Sequence, residues 1–574
     1  MKVYHYVAAA FLLLTVPTTA QVPAPLTQVQ TIELGTHTAL GGTVRLPNHN
    51  TLLLLTDAQA PTIRARCLTP AGQTAWETTL NRFQKVAGES PSFFAPLNGV
   101  AVTRGAKNEK AQEDLRRATM LDPAEVLTHE NDLLLVERIS EETVKKQPKT
   151  SALRAGQLYV QRLDAAGKVT QVLFEPSAEP AQKKTDSQRL GRYADAAGYV
   201  EILRETDKRE ETTSFFLVHY DLATKASRRE PLPLPATPPA ASGIWKHWQA
   251  EWAYLGHRPN QTYFYRLTLT DADQPKQKAG SRPVAYQIHI ADDQGAAAGG
   301  FTTLLGLPKG TISMYSGQTG LAGEAEHIPT PLEQVQSQRR ANGEQVNTYT
   351  SSDAWDLTTS GFGAVCLDYA SGDVLFFGEY NKGNGLDPED RNLAGMFGRR
   401  YSAQGQLVAQ TDFPYAEAVR ANRPKDLFKG GGGALYRVYA YGLDPLNGQS
   451  RFGISARSPR GPGDHLDLFF DKDLKLTAQQ YIPAKGDQDR PYTAVLYAAP
   501  HWLHKQTGLD RDARLYEHAV ATDLPVYGAM EALRRAAGPK ADTHELHLSA
   551  TGPGTGLVIE RRQDVGGALK VYKF

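Results

Sequence analysis

One hairpin pattern recurs along this chain of 574 residues. Each copy consists of an apolar strand, a polar turn that carries Gly or Asp, and a second strand. The copies cover residues 62–80, 158–176, 216–234, 286–304, 397–415 and 466–483. A pattern that returns in this way indicates a repeat architecture, because one such unit cannot bury its apolar face alone.

Further strand-like segments precede most of the hairpins, for example at residues 51–56, 132–139, 199–205 and 262–270. Each repeat therefore provides about four strands, which is the strand number of a propeller blade. A weaker last repeat covers residues 493–574, and an isolated strand is expected at 29–35. The sequence predicts an all-β fold, a single β-propeller of about seven four-stranded blades, in which the N-terminal strand closes the C-terminal blade.

The chain is longer than compact blades of roughly 40–50 residues need, so insertions are expected. Polar, helix-like composition places them near residues 107–130, 140–156, 311–350 and 510–541. One helix start is predicted at 122–127, where Asp122 precedes Pro123. A division into two domains near 308–350 is the alternative, but the same hairpin occurs on both sides of that segment and favours one propeller domain over 21–574.

The first twenty residues have the pattern of a signal peptide. Lys2 precedes an apolar stretch at 7–16, and small residues lead to Ala20, after which cleavage is expected. An uncleaved N-terminal anchor is the alternative. No later segment has the roughly 18 apolar residues of a membrane span. We expect an exported protein, periplasmic or extracellular, without a membrane span.

Charge and cysteine content exclude several classes of protein. Lys and Arg number 63 against 62 Asp and Glu, so no basic field would attract nucleic acid, and no nucleic-acid partner is expected. Cys67 and Cys366 fall in different repeats within apolar strands. Two buried free thiols are the default interpretation, and a disulfide between them stays open.

Searches for catalytic and metal motifs predict neither a catalytic residue nor a cofactor. His544 and His547 are three residues apart in a strand-like stretch, whereas a zinc-binding helix needs them four apart. A weak calcium candidate is the loop that carries the oxygen ligands Asn381, Asn384, Asp387, Glu389 and Asp390. Its spacing does not match a known calcium loop, so a solvated blade loop is the preferred interpretation.

An aromatic cluster is the remaining candidate site. Trp245, His247, Trp248 and Trp252 lie within eight residues of one another. They are candidate ligand-binding residues, as a stacking platform for a sugar or a peptide. The alternative is that these large side chains pack in the core between blades.

The hairpin at residues 163–169, with its turn Asp-Ala-Ala-Gly-Lys, and the hairpin at 68–76, with Thr-Pro-Ala-Gly-Gln, resemble the blades of quinoprotein-like, TolB-like and WD40-like propellers. This resemblance implies a ring with a central channel and loops on two faces. Such a ring hosts both binding proteins and enzymes.

The expected function is that of a non-catalytic binding or scaffold protein, monomeric, for a protein or glycan partner at the cell envelope or outside the cell. The alternative is a hydrolase or lyase that acts on an extracellular polymer through acid and base residues on channel loops. A component of a secreted assembly is a third possibility. Two facing carboxyl groups, one with a raised pKa, would favour the enzyme, and a channel lined by aromatics without titratable pairs would favour the binding protein.

Overall fold

A computed structural model of the chain describes these residues: 26–57, 60, 62–82, 126–146, 151–175, 185–207, 212–235, 252–269, 284–304, 363–381, 393–414, 435–443, 450–458, 461–482, 494–497, 502–505, 533, 545–552, 555–562 and 566–574. Within them the chain forms seven sheets and one short helix. Strand β1 covers Thr27–Glu33 and belongs to the last sheet.

The first three sheets, which we call blades 1 to 3, are antiparallel, and their strands follow chain order. Blade 1 contains β2 (Thr38–Arg45), β3 (Thr51–Asp57), β4 (Thr62–Leu68) and β5 (Thr74–Asn81). Blade 2 contains β6 (Val126–His129), β7 (Asp132–Arg138), β8 (Leu158–Leu163) and β9 (Val169–Phe174). Blade 3 contains β10 (Thr185–Ala194), β11 (Gly198–Asp207), β12 (Thr212–Asp221) and β13 (Ala226–Pro231).

Blades 4 and 5 repeat this arrangement, and blades 6 and 7 each gain a strand. Blade 4 contains β14 (Ala253–Arg258), β15 (Gln261–Leu269), β16 (Val284–Ala291) and β17 (Ala297–Leu304). Blade 5 contains β18 (Gly363–Leu367), β19 (Val374–Asn381), β20 (Leu393–Tyr401) and β21 (Leu407–Pro414). Blade 6 contains β22 (Leu435–Leu443), β23 (Ser450–Ser458), β24 (Gly461–Phe470) and β25 (Leu476–Ile482). The remaining strands are β26 (Ala494–Tyr497), β27 (Trp502–Lys505), β28 (Glu545–Gly552), β29 (Thr555–Arg561) and β30 (Ala568–Lys573).

Blade 7 joins the two ends of the chain. Its strand order is β1-β30-β29-β28-β26, and β1 runs antiparallel to β30 with Thr27 opposite Lys573 and Glu33 opposite Ala568. Strand β26 pairs with β28 in parallel, whereas β27 returns to the edge of blade 6 beside β22. The prediction of a closed propeller of about seven blades is confirmed.

Apolar runs in the second strands are explained by burial on both faces of a blade. Leu133 and Leu135 of β7 pack against blade 1, and the alternate residues Leu134 and Val136 pack against blade 3. In β3, Leu53 belongs to the core shared with β29 and β30 of blade 7. Because a blade is covered on both sides, its strands read as continuous apolar segments.

The recurrent turn joins the third and fourth strands of the blades. In blade 2 the Asp164 carboxylate accepts hydrogen bonds from the backbone N–H groups of Ala166 and Lys168, both at 2.9 Å, and Gly167 follows with a φ of 86°. This is a three-residue hairpin whose last turn position needs the left-handed region, so glycine fits it best. Asp292 and Asp471 accept the equivalent bonds in blades 4 and 6.

The turn glycines also connect neighbouring blades. A Cβ on Gly167 would approach the Trp76 ring of blade 1 to 2.9 Å, so the missing side chain lets the outermost strand of one blade lie against the turn of the next. The same relation joins Gly72 to Val29, Gly295 to Pro231 and Gly405 to Phe301. The Gly72–Val29 contact links blade 1 to blade 7, so the same contact between blades is also found where the ring closes.

A buried ion pair connects blades 2 and 3. Glu201 on β11 is 2% exposed and accepts hydrogen bonds from Arg138 on β7 at 2.7 and 2.8 Å. The hydroxyls of Tyr199 and Tyr220 donate to the same carboxylate at 3.0 and 3.2 Å. Burial acts to raise the pKa of Glu201, but the charge and hydrogen bonds of Arg138 outweigh it and hold this pKa below its ordinary value.

The helix α1 (Glu141–Lys146) lies inside the insertion predicted at 140–156. Ser140 caps it by accepting a hydrogen bond from the backbone N–H of Thr143 at 3.1 Å. The insertion predicted at 107–130 extends too far, because residues 126–129 are strand β6, and the helix predicted at 122–127 is wrong at its end. Val126 and Leu127 are instead buried against blades 1 and 3 respectively. The insertions at 311–350 and 510–541 lie outside the described residues except for Leu533, as does the whole segment 1–25.

Cys67 is a buried free thiol in β4, and burial raises its pKa to about 11. The backbone of Cys366 lies in β18 of blade 5. Across the described part of the chain, no helix has the length and apolar character needed to cross a membrane.

Candidate functional site

A pocket lies where the first strands of five blades end. The first strands of neighbouring blades approach one another, β28 beside β2, β6 beside β10, β10 beside β14 and β14 beside β18, so they surround the centre of the ring. The pocket has a volume of about 290 Å³, just below the roughly 300–1,000 Å³ of typical ligand sites. Its wall includes Pro47, His129, Arg192, Tyr193, His257 and Tyr369, which come from blades 1 to 5.

Two β-bulges position the polar part of this wall. Pairing of β10 with β11 shifts between Arg189 and Gly191, and pairing of β14 with β15 shifts between Tyr254 and Gly256. The extra residues are leucines, so the same order Leu-Gly-basic residue occurs at 190–192 and 255–257. Because a bulge bends the strand and re-aims the side chains that follow, it turns the next residues of both strands towards the pocket.

The bulge glycines let tyrosines of the next blade close the wall. A Cβ on Gly191 would overlap the Tyr254 ring, and a Cβ on Gly256 would come within 2.7 Å of the Tyr369 hydroxyl. Tyr254 therefore lies on the backbone of blade 3 and Tyr369 on that of blade 4. Both tyrosines line the pocket, which gives it an aromatic side.

The Tyr193 and His257 rings stack across the boundary between blades 3 and 4. Their centroids are 3.6 Å apart and their planes differ by 6°. His257 Nδ1 lies 3.1 Å from the Thr262 hydroxyl oxygen and 3.9 Å from Asp293 Oδ1. The ring is thus fixed on one face and along its Nδ1 edge.

Burial keeps His257 uncharged. Burial, with a smaller influence of the nearby His129 and His219, lowers the pKa of the ring to about 3. Behind the ring, burial raises the pKa of Asp293, and the charges of Asp195 and Asp292 add to this shift. The result is a neutral imidazole at the pocket wall, with the Asp293 carboxyl beside its Nδ1 edge and the charge of Asp195 acting on Asp293.

Two other buried histidines lie in blades 3 and 4. His219 Nε2 is 3.5 Å from Glu230 Oε2, and burial, with the charge of Arg228, lowers the pKa of His219. Burial also lowers the pKa of His289, followed by the charge of Arg266. These rings are neutral components of the inter-blade packing at ordinary pH.

Arg258 ties blade 4 to blade 5 at the pocket. Its Nε and Nη2 donate to the backbone carbonyls of Tyr369 and Ala370 at 2.8 and 3.1 Å. Arg192, also in the wall, is buried near Tyr199, which belongs with Arg138, Glu201 and Tyr220 to the Glu201 cluster. The Arg258 guanidinium is therefore held by backbone carbonyls of blade 5.

Of the predicted aromatic platform, Trp252 is 2% exposed in the core between blades 3 and 4. Its indole N–H donates to the Pro235 carbonyl at 2.9 Å, and Arg266 lies over its ring. Trp252 therefore packs in the core between blades, as the alternative to a ligand-binding platform expected, and presents no ring face to a ligand. Trp245, His247 and Trp248 lie outside the described residues.

Of the calcium candidates, only Asn381 is described, as the last residue of β19. Asn384, Asp387, Glu389 and Asp390 fall outside the described ranges. Among the residues that are described, no group of three or more His, Cys, Asp or Glu side chains is arranged to hold a metal ion.

Sequence reasoning missed Tyr193, His257 and Asp293. The repeated Leu-Gly-basic pattern at 190–192 and 255–257 is the signal that could have found the first two, because glycine inside a strand marks a bulge or a close approach. Nothing local in the sequence marks Asp293 apart from other turn aspartates.

Comparison with known proteins leaves the family open. No protein-family model matches the chain, and no curated protein matches it. Among solved structures, the chain is similar to the polysaccharide lyase Uly1, at 7% identity and a TM-score of 0.32, over 79% of this chain and 81% of that one. It is also similar to a sucrose-6-phosphate hydrolase from Lactobacillus gasseri, at 10% identity and a TM-score of 0.25, over 86% and 92% of the two chains. Such low scores carry no argument about function, and the propeller fold rests on the strand pairing itself.

Proposed function

We propose that this chain is an exported, non-catalytic propeller that binds one sugar unit of a glycan in the pocket between the first strands of blades 1 to 5. The observation that supports this is the lining of the pocket, where Tyr254 and Tyr369 provide an aromatic side and His257 a neutral polar group. Aromatic rings stack on the apolar face of a sugar while polar groups bind its hydroxyls. The small volume suits a single ring better than a protein surface, so we prefer a glycan to a protein partner.

A binding experiment tests the proposal. The full mature chain is titrated calorimetrically with cello-, xylo-, manno-, chito- and galacturono-oligosaccharides. We expect at least one of them to bind, and Tyr369→Ala to abolish that binding because it removes one of the aromatic rings of the pocket wall. Phe301→Ala is the matched control, since Phe301 is a partly buried aromatic between blades 4 and 5, outside the pocket wall. If no oligosaccharide binds, or if both variants bind equally well, the proposal is wrong.

A hydrolase or lyase acting on an extracellular polymer is the second candidate. The carboxyl pair Asp195 and Asp293, with the raised pKa of Asp293, favours it. It ranks second because an imidazole with a pKa near 3 is a weak general base at neutral pH. Reducing ends and the ultraviolet absorbance of unsaturated sugars are measured after incubation with the same oligosaccharides. Product that disappears in Asp293→Asn would reverse the ranking.

Export to the periplasm or beyond is part of the proposal. The supporting observation is the signal-peptide pattern before Gln21. N-terminal sequencing of the secreted chain is expected to begin at Gln21, and an intact Met1 on the protein recovered from the cells would contradict it. We also propose, from the likeness of the Asp-x-x-Gly turns, that the chain is related to propellers with quinoprotein-like and TolB-like blades.

A further inference from the structure

The edge of the His257 ring that carries Nε2 is one of the polar groups that the pocket wall can offer to a ligand. Among the described residues, this ring shares a hydrogen bond between Nδ1 and the Thr262 hydroxyl, and Tyr193 covers one face. Since His257 lines the pocket, the edge that carries Nε2 is left for a ligand.

The surroundings of Nδ1 decide the role of Nε2. A neutral imidazole carries one proton, and the nitrogen without it is an acceptor. Asp293 Oδ1 lies 3.9 Å from Nδ1, and the Thr262 hydroxyl oxygen at 3.1 Å can accept its proton. A carboxylate beside Nδ1 stabilises the tautomer with the proton on that nitrogen, so Nε2 carries the free lone pair.

From this geometry we infer that His257 Nε2 accepts a hydrogen bond from one ligand hydroxyl and so selects an uncharged sugar with a hydroxyl donor at that position. The inference rests on the proposed function and names the ligand class of the same pocket. Thr262 and Asp293 act as positioning residues, because they fix the ring and its tautomer and do not line the pocket.

The charges around the pocket agree with an uncharged ligand. Arg258 uses two donors on backbone carbonyls, and Arg192 is buried beside the Glu201 cluster. Glu130 is exposed at the rim, and the Asp293 carboxyl lies beside the Nδ1 edge of His257. A carboxylate on the ligand would face the charge of Glu130 and would offer an acceptor to the acceptor Nε2, while Arg258 already donates to backbone carbonyls.

The test uses the methyl glycosides of glucose, mannose, galactose, xylose and N-acetylglucosamine, with the monodeoxy derivatives of those that bind, measured by ligand-observed NMR. For the wild-type chain, deletion of one particular hydroxyl is expected to weaken binding roughly three- to tenfold, as for one neutral hydrogen bond. His257→Phe keeps a ring on Tyr193 but removes the acceptor, so the parent sugar should weaken by the same factor and that deoxy derivative should lose nothing more. His257→Gln, which keeps an acceptor oxygen, should recover part of the affinity.

Failure of the two proposals can be told apart. If no glycoside and no oligosaccharide binds the wild-type chain, the proposed function itself is wrong. If sugars bind but His257→Phe weakens the parent and every deoxy derivative by one common factor, the role of His257 is structural and this inference is wrong.

Discussion

Replacing Arg138 by Met tests the account of the buried ion pair between blades 2 and 3. The substitution leaves Glu201, whose side chain is 2% exposed, without its main cation. Breaking a buried pair in this way costs about 3–5 kcal/mol. Because the Arg138 side chain is itself 48% exposed and partly screened, we expect a loss of about 2 kcal/mol, somewhat below that range.

The pH dependence of this loss gives a second readout. In the wild-type chain the lowered pKa of Glu201 means that its contribution to stability is present above its ordinary pKa of 4.5 and is lost as the pH falls through the folded value. Arg138→Met removes the largest influence that lowers this pKa, and we expect burial to prevail over the remaining charge of Arg189, so that the contribution is present at low pH and is lost as the pH rises. The difference between the two proteins should therefore be largest near neutral pH and shrink towards about pH 4.5.

The assay is urea unfolding followed by tryptophan fluorescence, with an unchanged m-value as the condition for comparison. Arg64→Met is the matched control, because Arg64 pairs with Glu77 at 3.6 Å on a partly exposed surface and should cost less than about 1 kcal/mol. Adding Glu201→Gln to Arg138→Met should recover part of the loss, since the buried charge is then gone. A cost equal to that of the control, or a cost that grows on acidification, would refute the reasoning.

Other predictions concern the core, the closure, the histidines and the thiol. Leu53→Ala, at a fully buried site between blades 1 and 7, should lower the free energy of unfolding by about 2–5 kcal/mol in urea, and a loss below about 1 kcal/mol would contradict the packing described. A chain that begins after β1 should expose the β30 edge and associate in light scattering; a monomer with an unchanged melting temperature would speak against the closure. Stability should fall as the pH drops below about 6.5, because the pKa values of His219 and His257 are lowered in the folded protein and the unfolded chain therefore binds more protons. In His257→Gln the free energy of unfolding should depend less steeply on pH, and equal slopes in the two proteins would contradict this explanation. Cys67 should resist alkylation in the native protein and react quickly in urea, as followed by peptide mapping, and equal rates would mean that it is accessible.

The fold was predictable because its signals are local. The turn at Asp164 to Lys168 is specified by its own side chain and by Gly167, and the apolar run of β7 records burial on both faces. The site was less predictable because it depends on contacts between blades. The stack of Tyr193 on His257 requires two bulges and a register between strands that no short segment encodes.

Two local signals were also misleading. Asp122 and Pro123 suggested a helix, but tertiary pairing places Val126 and Leu127 in a strand with one neighbour blade on each side. The spacing of the tryptophans suggested a binding surface, and at Trp252, the one of the clustered residues that the structure describes, the ring fills volume between blades instead. Helix-capping patterns and aromatic content are weak evidence wherever a sheet can bury the same residues.

The pairing of β1 with β30 has a consequence for how the molecule assembles. Thr27 and Lys573 lie at opposite extremes of the described chain, so this ladder has the largest loop to close and the highest contact order in the fold. Every other blade can gather its own neighbouring segments early, while the final sheet must wait until the tail meets the head. We expect the docking of these two strands to be a late and slow step. Until it occurs, the edge of β30 stays unpaired, and chaperones could bind it.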